Sequence, residues 1–269
     1  MSSTTKTLEL LNFFEEKRPE IGLSDLCRLA KRDKATTHRH LQDLEKCGFV
    51  EQNPETRNYR LGPGILELAQ RREITVPRVS GAKLALRKLA DATGETAHVS
   101  VLSGSSVHAL DSYESPKHSI RVIIDVAIFP LHATASGLCA LAFGPSNLID
   151  AACEKMDQFT ERTALSRDAL EAIATRTRES GFACADRTFE NEVYSLAVPL
   201  FDQSGSFAGA LALASVASRL TDDAGRNIKL NLIKAGQEVS RNWGGKIPAT
   251  LEAIWAEVLQ NPDVLEPIL

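Results

Sequence analysis

Residues 34–42 read KATTHRHLQ, a run in which all but Ala35 and Leu41 can donate hydrogen bonds from the side chain. Catalysis needs an acid, a base or a nucleophile held against a partner, and nothing in this run pairs its members that way. Its chemistry is recognition. A guanidinium such as that of Arg39 can bond guanine O6 and N7 together, an amide such as Gln42 matches adenine, and Lys34, Thr36, Thr37 and His38 can reach bases or phosphates. A second stretch, LHATASGLCALAF at 131–143, reads as a capped helix start ahead of an apolar helix. Backbone N–H groups at such a start favour a carboxylate, both by geometry and through the helix dipole.

The elements around the first run must turn it outward. TKTLELLNFFEE sets Leu8, Leu11 and Phe14 at helical spacing with Leu10 beside them. Gly22 interrupts the chain, and Ser24 is expected to cap a helix whose Leu26, Leu29 and Ala30 share a face. In the donor-rich helix Thr37, Leu41 and Leu44 fall at i, i+4 and i+7, facing inward. That leaves Ala35, Arg39, Gln42 and Lys46 opposite, with Thr36 and His38 on the flanks. Gly48 is placed to stop the helix. FVEQ and NYRL then read as two short strands around the turn NPETR. Three short helices and a hairpin make a winged helix-turn-helix, whose recognition helix is shaped for a major groove.

Residues 63–91 read as a helical linker, broken at Pro77. Beyond Gly94 the periodicity changes to that of strands, in ETAHVSVL, SVHALDSY and IRVII. Ser166 should cap a helix that Gly181 stops; VYSLAVPLFD and FAGALALASV form a hairpin; a helix follows from about Thr221 to Trp243. LEAIWAEVLQ is a short amphipathic stretch in the tail. Strands mixed with packed helices give an α+β body.

Bulk properties narrow the function classes. The 269 residues suffice for two domains, and the net charge of −4 conceals an asymmetry. Residues 1–62 hold 11 Lys+Arg against 10 Asp+Glu, and the remainder holds 20 against 25. Arg28, Lys31, Arg32, Lys34 and Arg39 oppose Asp33 alone, a locally basic patch on an acidic body. No apolar run approaches the roughly 20 residues of a membrane span, so no membrane partner is expected and the chain reads as cytoplasmic. Five scattered cysteines suit a reducing compartment, and the histidines make no metal-binding spacing, so neither metal nor cofactor is expected. Ser136 lies outside a G-x-S-x-G elbow, no phosphate-binding glycine loop occurs, and His98, His108, His118 and His132 are dispersed. An enzyme is not expected.

Taken together, KATTHRHLQDLEKCGFV, YRLGPGIL, LHATASGLCALAF and GFACADRTFENEVYSLAVPLFDQSG resemble, in order and spacing, the motifs of the IclR family of bacterial transcription regulators. The resemblance runs from Thr4 to about Gly245. It implies a winged helix-turn-helix over 1–62, dimerising linker helices over 63–91, a GAF-like effector-binding domain over 92–245 and a tail over 246–269. The partners it implies are double-stranded operator DNA, a small organic acid and further copies of the chain, as a homodimer or a tetramer built from dimers. Carried over position by position, it assigns Lys34, Thr36, Thr37 and Arg39 to DNA, with Arg57 and Asn58 in the wing; the outward face of the helix adds His38 and Gln42. His40 stands where the family's run continues with leucine and is expected beside the wing. To the effector the resemblance assigns Thr134, Ala135, Ser136, Asp186, Val193, Ser195, Ala212 and Ala214. An oxo- or hydroxy-acid fits this lining; an aromatic acid, or a thiol-based redox signal at Cys139, Cys153 or Cys184, is the alternative.

Overall fold

The structure is a computed structural model that describes residues 2–15, 17–75 and 77–261. The chain divides into two compact units, Met1–Val76 and Pro77–Leu269. The division falls at Pro77, inside the segment expected to act as one linker.

The first unit runs α1 (Ser3–Glu9), a 3-10 turn (Leu10–Phe13), α2 (Leu23–Ala30), α3 (Lys34–Lys46), β1 (Val50–Gln52), β2 (Tyr59–Leu61) and α4 (Gly64–Thr75). Its core is small: Leu10, Ile21, Leu26, Leu41, Leu44, Val50 and Tyr59. Leu10 rather than Leu8 is the buried residue of the first helical stretch, because the tightening into a 3-10 turn rotates the apolar stripe. The cap of α2 is Gly22, not Ser24: Gly22 O already accepts from Asp25 N and Leu26 N, which places Ser24 inside the helix. Gly48, at φ 71°, reverses the chain after α3, a left-handed conformation that glycine adopts without a Cβ penalty. The two strands pair antiparallel, Val50 opposite Leu61 and Gln52 opposite Tyr59. α4 buries none of its described side chains and leaves Leu66, Leu68 and Ile74 exposed.

The second unit begins with α5 (Arg78–Thr93), followed by β3 (Thr96–Ser103), β4 (Ser106–Glu114), β5 (Ile128–Phe129), α6 (Ala135–Phe143) and α7 (Asn147–Cys153). After these come α8 (Arg167–Ser180), β6 (Ala183–Asp186), β7 (Val193–Phe201), β8 (Phe207–Val216), α9 (Asp222–Asn242) and α10 (Ala249–Gln260). The strands form one antiparallel sheet of order β5-β4-β3-β8-β7-β6. Ser166, Gly181 and Thr221 cap their helices as the sequence suggests.

Side-chain alternation decides what each face of the sheet can hold. Leu196, Val198, Leu200, Leu211 and Leu213 point to the face covered by α5, α9 and α10. Ala183, Ala185, Ala197, Ala210 and Ala212 point to the other, against α6 and α8. One face is filled by large side chains, whereas the other is floored by small ones, so α6 sits close and space remains beside it.

One expectation changes here, and the tail stretch, to which the sequence assigns no role, gains a place. IRVII is not a strand: residues 121–126 are irregular and outside the sheet, because β4 takes its edge partner from Ile128–Phe129 instead. The amphipathic tail is also no appendage. α10 enters the main core with Leu251, Trp255 and Val258, and Trp255 Nε1 donates to Gly181 O at 3.3 Å.

Candidate nucleic-acid interface and ligand cavity

In the first unit the start of α3 is locked by its own cap. The Asp33 carboxylate accepts from Thr36 N at 2.9 Å, and that backbone bond is the main cause holding its pKa below the ordinary value. Thr37 is fully buried and its hydroxyl donates to Asp33 O at 2.9 Å, so the structure turns this expected DNA contact inward. His40 is buried as well, against α1 rather than the wing, with Nε2 3.4 Å from Ser3 Oγ. Lys34, His38, Arg39 and Gln42 are exposed along one side of α3 and engage no hydrogen bond or ion pair among the described residues. Thr36 is half-buried at the same end.

The basic patch is smaller than its charge count. Arg28 pairs with Asp25 at 2.7 Å, and Arg32 is held by Glu9 and by Lys6 O. In the wing, Arg60 is engaged by Glu51 at 2.6 Å and Glu20 at 3.3 Å. The turn is organised by Asn53, whose side-chain oxygen accepts from Glu55 N at 2.9 Å and Thr56 N at 3.3 Å. Arg57 stands at the tip with φ 61° and an exposed side chain, and Asn58 beside it is half-buried. Lys34 and Arg39 therefore stand as uncommitted cations on α3, and Arg57 as one in the wing.

The second unit holds a narrow cavity of about 50 Å³ beside the start of α6. Thr134 caps that helix: its hydroxyl accepts from Gly137 N at 3.1 Å and donates to Pro130 O at 2.9 Å. The first N–H groups of a helix have no intrahelical acceptor, which leaves those of Ala135 and Ser136 for another group. Gly137 permits the close approach, since a Cβ there would collide with the Pro130 and Leu131 backbone. The opposite wall is the irregular segment Val122–Val126, which Thr96 Oγ1 ties to the sheet by donating to Val122 O at 2.6 Å. Phe129 and Phe189 add aromatic surface. Asp125 and Glu190, both exposed residues, contribute to the lining, which contains no lysine or arginine.

Thr134, Ala135, Val193, Ser195 and Ala214 all line this cavity. Ser195 Oγ donates to Leu213 O at 3.0 Å, so its hydroxyl hydrogen is committed to the sheet. Three expected residues lie elsewhere. Ser136 sits behind the lining, with Oγ 3.3 Å from His98 Nε2. Asp186 is taken by Arg162 and, at 3.0 Å, by Arg187. Ala212 packs in the core facing α6.

Beside Asp125 and Glu190, a third polar lining residue outside the sequence-based set is His98. It lines the cavity at 4% exposure, stacks on Phe129 with ring centroids 5.0 Å apart, and its Nδ1 is buried without a hydrogen-bond partner. Burial pushes its pKa down to about 4, so the ring is neutral near pH 7. One signal could have found it: Thr96, His98 and Ser100 form a polar stripe at period 2 in an otherwise apolar strand.

Among the described residues no group of three or more His, Cys, Asp or Glu could hold a metal, and no helix is long and apolar enough to cross a membrane. Two of the thiols are shifted away from activation. Desolvation raises Cys139 well above its ordinary value, and it also raises Cys184, whose sulfur donates to the Tyr194 hydroxyl at 3.1 Å.

Comparison with known proteins gives a consistent assignment. The carboxy-terminal model of bacterial IclR transcriptional regulators matches residues 75–241, and the IclR helix-turn-helix model matches residues 3–54. The HTH-type transcriptional regulator XynR of Escherichia coli K12 is 30% identical over 249 residues, which cover 91% of this chain and 98% of XynR. KdgR of the same organism is 28% identical over 250 residues, covering 91% of this chain and 93% of its own. A crystal structure of an IclR-type regulator from Silicibacter sp. TM1040 superposes with a TM-score of 0.88 at 39% identity, covering 93% of this chain and 99% of that one. An IclR homologue from Microbacterium hydrocarbonoxydans, solved in complex with 4-hydroxybenzoate, shares the fold with a TM-score of 0.75 at 21% identity, covering 90% and 99%. With both halves of the chain matched and the helix-turn-helix in place, the protein belongs to the IclR family, whose members regulate transcription and are not enzymes.

Proposed function

We propose that this protein binds double-stranded operator DNA by laying α3 in the major groove, under the control of a small oxo- or hydroxy-acid bound beside the start of α6. One observation supports the DNA reading most: Lys34, His38, Arg39 and Gln42 are exposed along one helix and uncommitted, while nearby Arg28, Arg32 and Arg60 are tied to carboxylates. Arg39 is assigned to a base edge, Lys34 and Arg57 to phosphates, and Asn58 to the wing contact. Two copies pair through the exposed apolar side of α4, dimers associate further into tetramers, and the protein works in the cytoplasm. An acid shifts DNA affinity by favouring one of two arrangements of the chain.

The cavity favours a small acid. Its volume of about 50 Å³ corresponds to roughly three to five water-sized positions, at roughly 10–15 Å³ each. The 4-hydroxybenzoate held by the Microbacterium homologue makes an aromatic acid the second candidate, one that requires the Val122–Val126 wall to yield. A redox signal has less support, because the Cys139 and Cys184 thiols are raised rather than lowered.

The test is a fluorescence-anisotropy titration with DNA from upstream of the protein's own gene, over a series of salt concentrations. Specific binding should exceed binding to scrambled DNA by about 10³-fold or more and weaken steeply with salt. Equal, salt-independent binding to both DNAs would defeat the proposal.

A further inference from the structure

We infer that His98 is a specificity-determining residue, which makes the cavity select acids carrying a second, uncharged oxygen: a hydroxyl or a carbonyl. This rests on the reading of the cavity as an acid site and names what else the ligand must have.

The cavity offers two polar features of different character, joined through Ser136 in the first turn of α6. At one, the start of α6 offers backbone N–H groups, which suit an anion. At the other, His98 offers a neutral ring. Its Nε2 is engaged with Ser136 Oγ at 3.3 Å, and its Nδ1 is buried with no partner. Buried polar atoms in folded proteins are almost always bonded, so an orphan nitrogen on a ring that lines a cavity marks a place for a ligand atom. The ring is held in position rather than merely placed, stacked on Phe129 on one side and bonded to Ser136 at its far nitrogen.

Which ligand group fits follows from the tautomers. When the Ser136 hydroxyl donates to Nε2, the proton sits on Nδ1, which then donates to a carbonyl or hydroxyl oxygen. When Nε2–H donates to Ser136, Nδ1 is a bare acceptor and needs a hydroxyl hydrogen. A hydroxyl satisfies both states, a carbonyl satisfies one, and a methyl or methylene satisfies neither. A plain alkanoic acid thus leaves Nδ1 unpaired beside its hydrocarbon tail.

Isothermal titration of the full-length protein should be run with lactate and pyruvate against propionate, and with 4-hydroxybenzoate against benzoate. In at least one set the oxygenated member should bind about tenfold or more tightly, the worth of one good hydrogen bond. His98→Phe keeps a ring to stack on Phe129 and removes Nδ1; it should erase that preference, so that the oxygenated and plain members of each set bind alike. In a ¹⁵N-histidine-labelled sample the oxygenated acid should move the His98 Nδ1 resonance, a readout that stands even if the variant folds poorly. Equal affinities across every set, an unmoved Nδ1 resonance, or a preference that survives in His98→Phe would each overturn the role of His98 while leaving the acid site intact. Failure of all five acids to bind would instead remove the acid reading itself, and this inference with it.

Discussion

The two candidate sites are built by opposite means. The outer side of α3 is convex, lies within one helix, and carries Lys34, His38, Arg39 and Gln42, whose side chains engage no hydrogen bond or ion pair among the described residues. The cavity beside α6 is concave and takes its lining from β3, β5, β6, β7, β8, the start of α6 and irregular segments. On α3 one periodicity both buries Leu41 and Leu44 and presents Arg39. At the cavity, function depends on where the sheet carries small residues and on a contact between His98 and Ser136, 38 positions apart. A site on one element can be altered one residue at a time, whereas a site made of many elements answers to the whole core.

The sharpest test of that contrast uses a residue that belongs to neither site. Trp255 is fully buried in the core of the second unit, so Trp255→Ala should cost that unit about 3–5 kcal/mol. Both tryptophans, Trp243 and Trp255, lie in the second unit, and urea unfolding of the variant can be followed by the fluorescence of the remaining Trp243. Unchanged stability would mean that Trp255 does not anchor α10 in that core. On the α3 side, Arg39→Ala should weaken operator binding by up to about 3 kcal/mol and relax base preference at one position per half-site. Anisotropy with single-base operator variants reads this, and a uniform loss across them would reassign Arg39 to phosphate.

Acid should separate the two regions next. The unfolded His98 titrates near 6.5 and the folded one near 4, so the unfolded chain binds more protons between those values. The stability this group contributes is complete above about pH 6.5 and lost as the pH falls toward 4. Between pH 7 and 5 the wild type should therefore lose about 2 kcal/mol more than His98→Phe in urea unfolding. Equal losses would show that His98 is solvated or charged in the folded state.

Smaller effects remain on α3. Thr37→Val removes a buried hydroxyl that donates to Asp33 O, and should cost about 1 kcal/mol of stability in the first unit with base preference unchanged. A changed preference would put Thr37 at the DNA after all. Lys34→Ala should mainly reduce the slope of log K against log salt by about 1, through one lost phosphate contact.

Legibility in the sequence follows the same division. The inward stripe of α3, the glycine after it and the hairpin are local patterns, and periodicity reads them with little error. Errors in the first unit are matters of one turn, as with Gly22 capping α2 in place of Ser24. The cavity wall misled because IRVII carries the composition of a strand, yet strand composition forms a strand only where an edge is free to accept it. His98 was passed over for a related reason: one histidine in an alternating strand has no meaning until the fold sets Ser136 and Phe129 against it. The boundary at Pro77 and the burial of α10 are likewise facts of packing between distant segments.

The seat of Trp255 bears on where this protein can be cut. Gly181 ends α8 at φ 77°, and a Cβ at that position would lie 2.8 Å from the indole nitrogen of Trp255. The stop of one helix and the docking of another thus share a single glycine. Family resemblance marks the carboxy-terminal module as ending at residue 241. A fragment trimmed there for crystallisation or ligand screening would lose the indole and leave its slot open to water, so the reagent to clone runs at least through Gln260.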